Sequence, residues 1–70
     1  AGLVAAVHGA RFVVLRDGTR IRQRPTTASA ILGKLDHDAE VIGQIVAGEG
    51  GEWVKRSTVG YIRRDMLVAA

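Results

Sequence analysis

The sequence contains no cysteine, so the chain has neither disulfide bonds to hold a small fold together nor thiolate ligands for a metal. No apolar run approaches the roughly 20 residues of a membrane-spanning helix. No segment sustains the period of 3.6 residues that is typical of an amphipathic helix. Because 47% of its 70 residues are hydrophobic, the chain is predicted to form one small domain held together by apolar packing, with no membrane span.

Aromatic residues are scarce, with Phe12, Trp53 and Tyr61 as the complete set. Ten basic residues against seven acidic ones give a net charge of +3, and most of the basic residues are arginine. This small excess favours anionic partners but lacks the dense basic cluster of a dedicated nucleic-acid-binding protein. A basic nucleic-acid-binding barrel is therefore the weakest of the functions considered below.

Residues 1–7 are apolar, but this run is short and lacks the basic start of a signal peptide. We therefore expect residues 1–10 to be an N-terminal extension or linker, and residues 11–70 to form the domain. The chain is expected to be one part of a larger protein.

Apolar and polar residues alternate through most of the chain, and this period of two is typical of strands. Turn residues such as Asp17-Gly18 and Pro25 interrupt the alternation every 8–12 residues or so. The predicted strands cover residues 11–16, 19–24, 31–35, 40–47, 52–56 and 59–63. With a short 3-10 turn at Arg64–Met66 before the last strand, the pattern predicts an all-β fold, a small barrel of five to six strands.

Four motifs occur in the order and spacing of one known family. The first is Ile21-Arg22-Gln23-Arg24-Pro25, and after a Ser/Thr-rich loop the second is Ile31-Leu32-Gly33-Lys34-Leu35. A Gly-rich turn then leads into Trp-x-Lys at residues 50–55, and a Gly-aromatic-apolar ending with a later Leu spans residues 60–67. On these motifs, residues 11–68 resemble a bacterial SH3-like (SH3b) domain, and the resemblance implies an SH3-like barrel.

Domains of this family are often appended to peptidoglycan hydrolases, where they hold the enzyme to the cell wall. The resemblance implies a non-catalytic binding module of the cell envelope or of a secreted protein, outside the cytoplasm. Its partner would be a peptidoglycan peptide or another anionic cell-wall polymer. The alternative is a structural or protein-interaction domain, whose partner is another protein or another domain of the parent chain.

The two late aromatic residues are the first candidates for a binding surface. If Val54 points into the core, alternation places Trp53 on the outside, as a flat stacking surface for a peptide or sugar. Tyr61 is expected near Trp53 across the hairpin. The structural alternatives are that Trp53 covers one end of the barrel and that Tyr61 only packs.

Arginine occurs at every second position in Arg20, Arg22 and Arg24, which places the three guanidinium groups on one strand face. Their forked donors suit a carboxylate or phosphate. The alternative is a solvated face that discourages aggregation between sheet edges. The Arg63-Arg64 pair would extend this face if it lies alongside.

Asp17 and Glu52 lie in turns beside a groove that we predict between the Asp17-Gly18 turn, the Pro25 loop and the hairpin from Trp53 to Tyr61. Either carboxylate would accept a hydrogen bond from a ligand amine, although Asp17 is also a common turn former next to glycine. These two residues complete the candidate ligand site, together with Trp53, Tyr61, Arg22 and Arg24.

The sequence offers no convincing catalytic or metal-binding group. Neither Ser29 nor Ser57 has a histidine at a suggestive spacing, so no nucleophile, base and orienting residue can be assembled. Asp36-His37-Asp38 resembles a metal cluster, but adjacent residues rarely converge on one ion. We therefore predict no enzymatic activity, no catalytic residue, no metal and no cofactor.

Overall fold

The computed structural model describes residues 9–70, so most of the predicted N-terminal extension lies outside the described residues. The described chain forms seven strands and one 3-10 turn (η1), in the order β1 (Ala10–Val14), β2 (Thr19–Arg22), β3 (Ile31–Leu35), β4 (Glu40–Gly48), β5 (Gly51–Arg56), β6 (Tyr61–Arg63), η1 (Arg64–Met66) and β7 (Leu67–Ala69). Across residues 9–70, no helix has the length and apolar character needed to cross a membrane.

The strands form one antiparallel sheet in the order β3-β2-β6-β5-β4-β1-β7. The all-β prediction and the predicted 3-10 turn are confirmed. The predicted number of five to six strands is wrong, because the short segment after the turn forms a full strand. Its residues pair with β1 at three positions, from Val14 opposite Leu67 to Phe12 opposite Ala69.

The core lies on one face of the sheet and draws on six of the seven strands. Its buried members are Phe12, Val14, Ile21, Val41, Val54, Ile62 and Leu67. Each such side chain contributes about 1.5–3 kcal/mol when it is fully removed from water. Alternation on β6 places Ile62 in this core, and therefore turns Tyr61 and Arg63 to the opposite, outer face of the sheet.

Candidate functional site

A groove of about 300 Å³ opens between the outer face of the sheet and its flanking turns. We call it the central groove, and it is lined by Gly18, Thr19, Arg20, Arg22, Thr27, Trp53, Arg63 and Met66. It therefore lies between the Asp17-Gly18 turn, the Pro25 loop (residues 23–30) and the β5–β6 hairpin. These are the three segments between which the sequence predicts a groove.

Trp53 contributes to the groove but is not an exposed stacking surface. Its cross-strand partners Val46 and Arg63 are on the outer face, opposite to the core that holds Val54. Even so, Trp53 is only 1% exposed. The prediction that Trp53 presents its ring to solvent is wrong, because the outer face of β5 is itself covered.

The cover over Trp53 comes from the Pro25 loop and from the end of β4. A Cβ atom built on Gly48 would overlap Trp53 Cδ1 and would lie 2.7 Å from both Pro25 Cβ and the Pro25 carbonyl oxygen. The indole, Gly48 and Pro25 are therefore packed in direct contact. Only glycine at position 48 leaves room for the loop to lie this close to the ring.

Glu49 holds the Pro25 loop in place over the indole. Its carboxylate accepts hydrogen bonds from the Thr26 hydroxyl at 2.8 Å, the Thr27 hydroxyl at 2.8 Å and the Thr27 backbone N–H at 3.4 Å. The Glu49 backbone N–H donates to the Pro25 carbonyl at 2.9 Å, and the Trp53 Nε1–H donates to the Glu49 carbonyl at 2.8 Å. We call these contacts the Glu49 cluster.

The Glu49 cluster should make stability depend on pH. Hydrogen bonds from Thr26 and Thr27 lower the pKa of Glu49 below its ordinary value of 4.5. A carboxyl whose pKa is lower in the folded chain adds stability above its unfolded pKa, and this contribution is lost as pH falls through the folded pKa. We therefore expect Glu49→Gln to be less stable than the wild type at pH 7, with the difference shrinking below about pH 4.5.

Urea unfolding of both proteins between pH 3 and pH 7 measures this effect. Glu52→Gln is the matched control. Glu52 lies three residues away, and its carboxylate does not accept the hydrogen bonds from Thr26 and Thr27 that the Glu49 carboxylate accepts. A constant difference between wild type and Glu49→Gln across the whole range would contradict the assigned role of the carboxylate.

The three arginines of the central groove come from two neighbouring strands. Arg20 and Arg22 lie on β2, and Arg63 lies on β6. Arg22 Nη1 donates to the Ser29 carbonyl at 2.9 Å, and Arg63 Nη2 pairs with Asp65 Oδ2 at 3.0 Å. Among the described residues, the lining of the groove contains three arginines and no carboxylate. The groove therefore favours an anionic ligand.

Arg24 does not belong to this set, and the predicted row of three arginines is wrong. Strand β2 ends at Arg22, and its pairing with β3 shifts register between Ile21 and Arg22. Arg24 therefore lies in the Pro25 loop, where its backbone N–H and carbonyl bond with the Ser29 hydroxyl. Two-residue alternation fails there because the strand has already ended.

The other predicted site residues lie around the groove and not in its lining. Tyr61 is on the outer face, but its partner on β5 is Lys55, two pairs along from Trp53. The Asp17 carboxylate accepts a hydrogen bond from the His37 backbone N–H at 2.8 Å, which joins two turns. Glu52 lines a separate groove nearby.

This second groove, of about 240 Å³, is polar and carries both charge signs. Its lining consists of Glu49, Gly50, Glu52, Arg63, Arg64 and Asp65. Arg64 is held by the fold, since its Nη1 donates to the Leu67 carbonyl at 2.8 Å and its guanidinium lies 5.1 Å from the centre of the Phe12 ring. Residues 9–70 contain no group of three or more histidine, aspartate or glutamate side chains placed to hold a metal ion.

Sequence reasoning missed Thr27, Met66 and Glu49. Glu49 lies in a Gly-rich turn and Thr27 in a Ser/Thr-rich loop, so each is typical of a solvated turn when it is considered alone. Their contact joins positions 22 residues apart, and no local pattern indicates it. Comparison of the chain with protein-family models, with curated proteins and with solved structures finds no match.

Proposed function

We propose that this chain is a non-catalytic binding module that takes a peptide of cell-wall peptidoglycan into the central groove. In this proposal, the module belongs to a larger protein of the cell envelope or to a secreted one, and it holds that protein to the wall. The observation that carries the proposal is the composition of the groove, whose lining combines three arginines with the apolar side chain of Met66 and the covered edge of Trp53.

The chemistry of the groove suits a peptidoglycan peptide. Such peptides combine small aliphatic side chains with free carboxylates, and the groove offers apolar surface beside guanidinium donors. A volume of about 300 Å³ is at the lower end of the range for ligand sites, which fits a few residues of a peptide. Hydrogen bonds to charged groups contribute about 1.5–3 kcal/mol each, less where solvent reaches them.

We further propose that the sheet closes on itself as an SH3-like barrel. The support is the burial of Val14, Val54 and Ile62, which are fully inaccessible on the inner face. A single flat sheet would leave that face open to water, and residues 9–70 supply no second sheet or α-helix to cover it. Curvature of the sheet over its own inner face accounts for the burial.

One observation favours the alternative of a protein-interaction domain. Ile42 and Val68 are 41% and 46% exposed on the outer face, on either side of β1, where Val13 lies in register with Val68. Such an apolar patch suits contact with another domain of the parent chain. The charged residues beside it, Arg11 opposite Ile42 and Glu40 opposite Val13, are paired with each other at 3.7 Å, so they offer less than the groove arginines to an anionic ligand.

The nucleic-acid alternative has less support. Single-stranded nucleic acids bind where bases stack on accessible aromatic rings. Trp53 is buried and Phe12 belongs to the core, and the third aromatic side chain, Tyr61, is half-buried. A steep loss of binding with added salt would be the result expected from that alternative.

Binding to purified cell walls tests the proposed function. The double variant Arg20→Gln/Arg63→Gln removes two groove arginines, one of them ion-paired. Its matched control is Arg11→Gln/Arg24→Gln, which removes the same charge outside the groove and also includes one paired arginine, Arg11 with Glu40. We expect the groove variant to retain at most about one fifth of the wild-type bound fraction, while the control stays near the wild type.

The pull-down is run at about 0.15 M and about 0.5 M salt, with circular dichroism to verify folding. Equal losses in the two double variants would show that net charge drives the binding, and would contradict a groove site. Absence of wild-type binding to walls at both salt concentrations would also overturn the proposal.

A further inference from the structure

The three groove arginines differ in how many of their donors are free. Arg22 is tethered to the Ser29 carbonyl, and Arg63 is paired with Asp65. Within residues 9–70, Arg20 has neither a hydrogen-bond nor an ion-pair partner for its side chain, although all three line the same groove. Arg20 therefore has its whole guanidinium fork available to a ligand.

The register between β2 and β3 places the free guanidinium of Arg20 beside a second positive charge. Arg20 lies directly opposite Lys34 on β3, so two positive charges occupy one cross-strand pair. Like charges in that position destabilise a sheet, and no carboxylate in the lining of the groove offsets them. A bound anion would relieve this repulsion, which means that its binding also stabilises the fold.

The hydroxyl groups in the groove are already used as donors. The Thr27 hydroxyl donates to the Glu49 carboxylate at 2.8 Å, and the Thr19 hydroxyl donates to the Arg16 carbonyl at 2.7 Å. Each hydroxyl has a single hydrogen, so neither is free to donate to a ligand oxygen. An anionic group that enters the groove must therefore obtain its hydrogen bonds mainly from arginine.

We propose that Arg20 binds a free carboxylate of the peptide ligand and makes the central groove selective for the acid over the corresponding amide. This inference rests on the proposed function and names the chemical group that the site recognises. A carboxylate accepts two parallel hydrogen bonds from a guanidinium fork. An amide presents one acceptor and a competing donor, and carries no charge to offset the Arg20–Lys34 repulsion.

A titration followed by two-dimensional NMR tests the inference with two probes. The probes are N-acetyl-D-alanyl-D-alanine and its C-terminal amide, which differ at the carboxyl group alone. For the wild type we expect the acid to bind about tenfold more tightly than the amide. Arg20→Gln should remove that preference, whereas Arg24→Gln, which deletes an exposed arginine outside the groove, should keep it.

Equal affinity for acid and amide, or no binding of either probe, would overturn the inference even if the protein binds walls. Acid binding that depends on Arg20, without binding to walls, would support the inference and contradict the proposed function. Inorganic phosphate is the third probe. If phosphate binds at Arg20 more tightly than the acid does, the recognised group is a phosphate and the assignment of a carboxylate is wrong.

Discussion

Replacement of Trp53 by alanine is expected to unfold the domain. Trp53 is 1% exposed, and its Nε1–H donates to the Glu49 carbonyl. Truncation of a buried tryptophan costs about 3–5 kcal/mol, and a core of this size rarely supplies more than about 3–5 kcal/mol. Circular dichroism during urea unfolding would measure the loss.

Trp53→Phe is the matched control, because it keeps an aromatic ring under the Pro25 loop and deletes the indole donor. We expect it to remain folded and to lose about 1–2 kcal/mol of stability. A stable, folded Trp53→Ala protein would contradict the structural role assigned to the indole. The same result would mean that the loop does not depend on the ring for its position.

Gly43→Ala is expected to lower the free energy of unfolding by about 3 kcal/mol, near the upper end for overpacked sites. Gly43 lies in the middle of β4, with Ala10 of β1 on one side and Arg56 of β5 on the other. A Cβ at this position would overlap the Lys55 carbonyl oxygen and would lie 2.8 Å from Val54 Cγ1. Relief of the overlap requires β4 and β5 to separate, which breaks the backbone pairing.

Gly33→Ala is the control for Gly43→Ala, since Gly33 also lies in a strand. The nearest atom to its added Cβ would be Ile21 Cδ1 at 3.8 Å, an ordinary contact. We expect this variant to be as stable as the wild type or up to about 1 kcal/mol more stable. Similar losses in both variants, measured by urea unfolding, would contradict the close approach of β4 and β5.

Local patterns in the sequence were sufficient to predict most of the strands. Residues 31–35 form a strand with the predicted bounds, and the predicted strand at residues 40–47 extends by one residue to Gly48. Asp17-Gly18 falls at a turn, and so does Glu49-Gly50, whereas Gly48 and Gly51 on either side belong to β4 and β5. These predictions succeed because alternation and turn residues act over a few neighbouring positions.

The covered face of β5 could not be predicted in the same way. Alternation correctly places Trp53 and Val54 on opposite faces of β5. The further inference that the face with Trp53 is exposed to solvent requires that no other segment covers it. The cover is the Pro25 loop, 28 residues earlier in the chain. Its position depends on contacts at Gly48 and Glu49 that appear only when the chain has folded.

The same limit applies to the polar candidates. Asp17 was considered as a ligand acceptor and as a turn former, and its bond to the His37 N–H supports the second role. Arg22 lines the central groove and Arg24 does not, because the bulge that ends β2 leaves no mark in the alternation. Charge and spacing therefore indicate which part of the chain is basic, but only the folded structure shows which of its arginines line the groove.

An NMR titration of the isotopically labelled chain with soluble peptidoglycan fragments tests the central groove most directly. The account predicts that amide signals of Gly18, Arg20 and Thr27 shift together with the Trp53 indole N–H, because all four residues line the groove. Signals of Ile42 and Ser57, which lie outside it, should stay in place. Shifts confined to residues outside the groove, or no shifts at saturating fragment, would contradict the account.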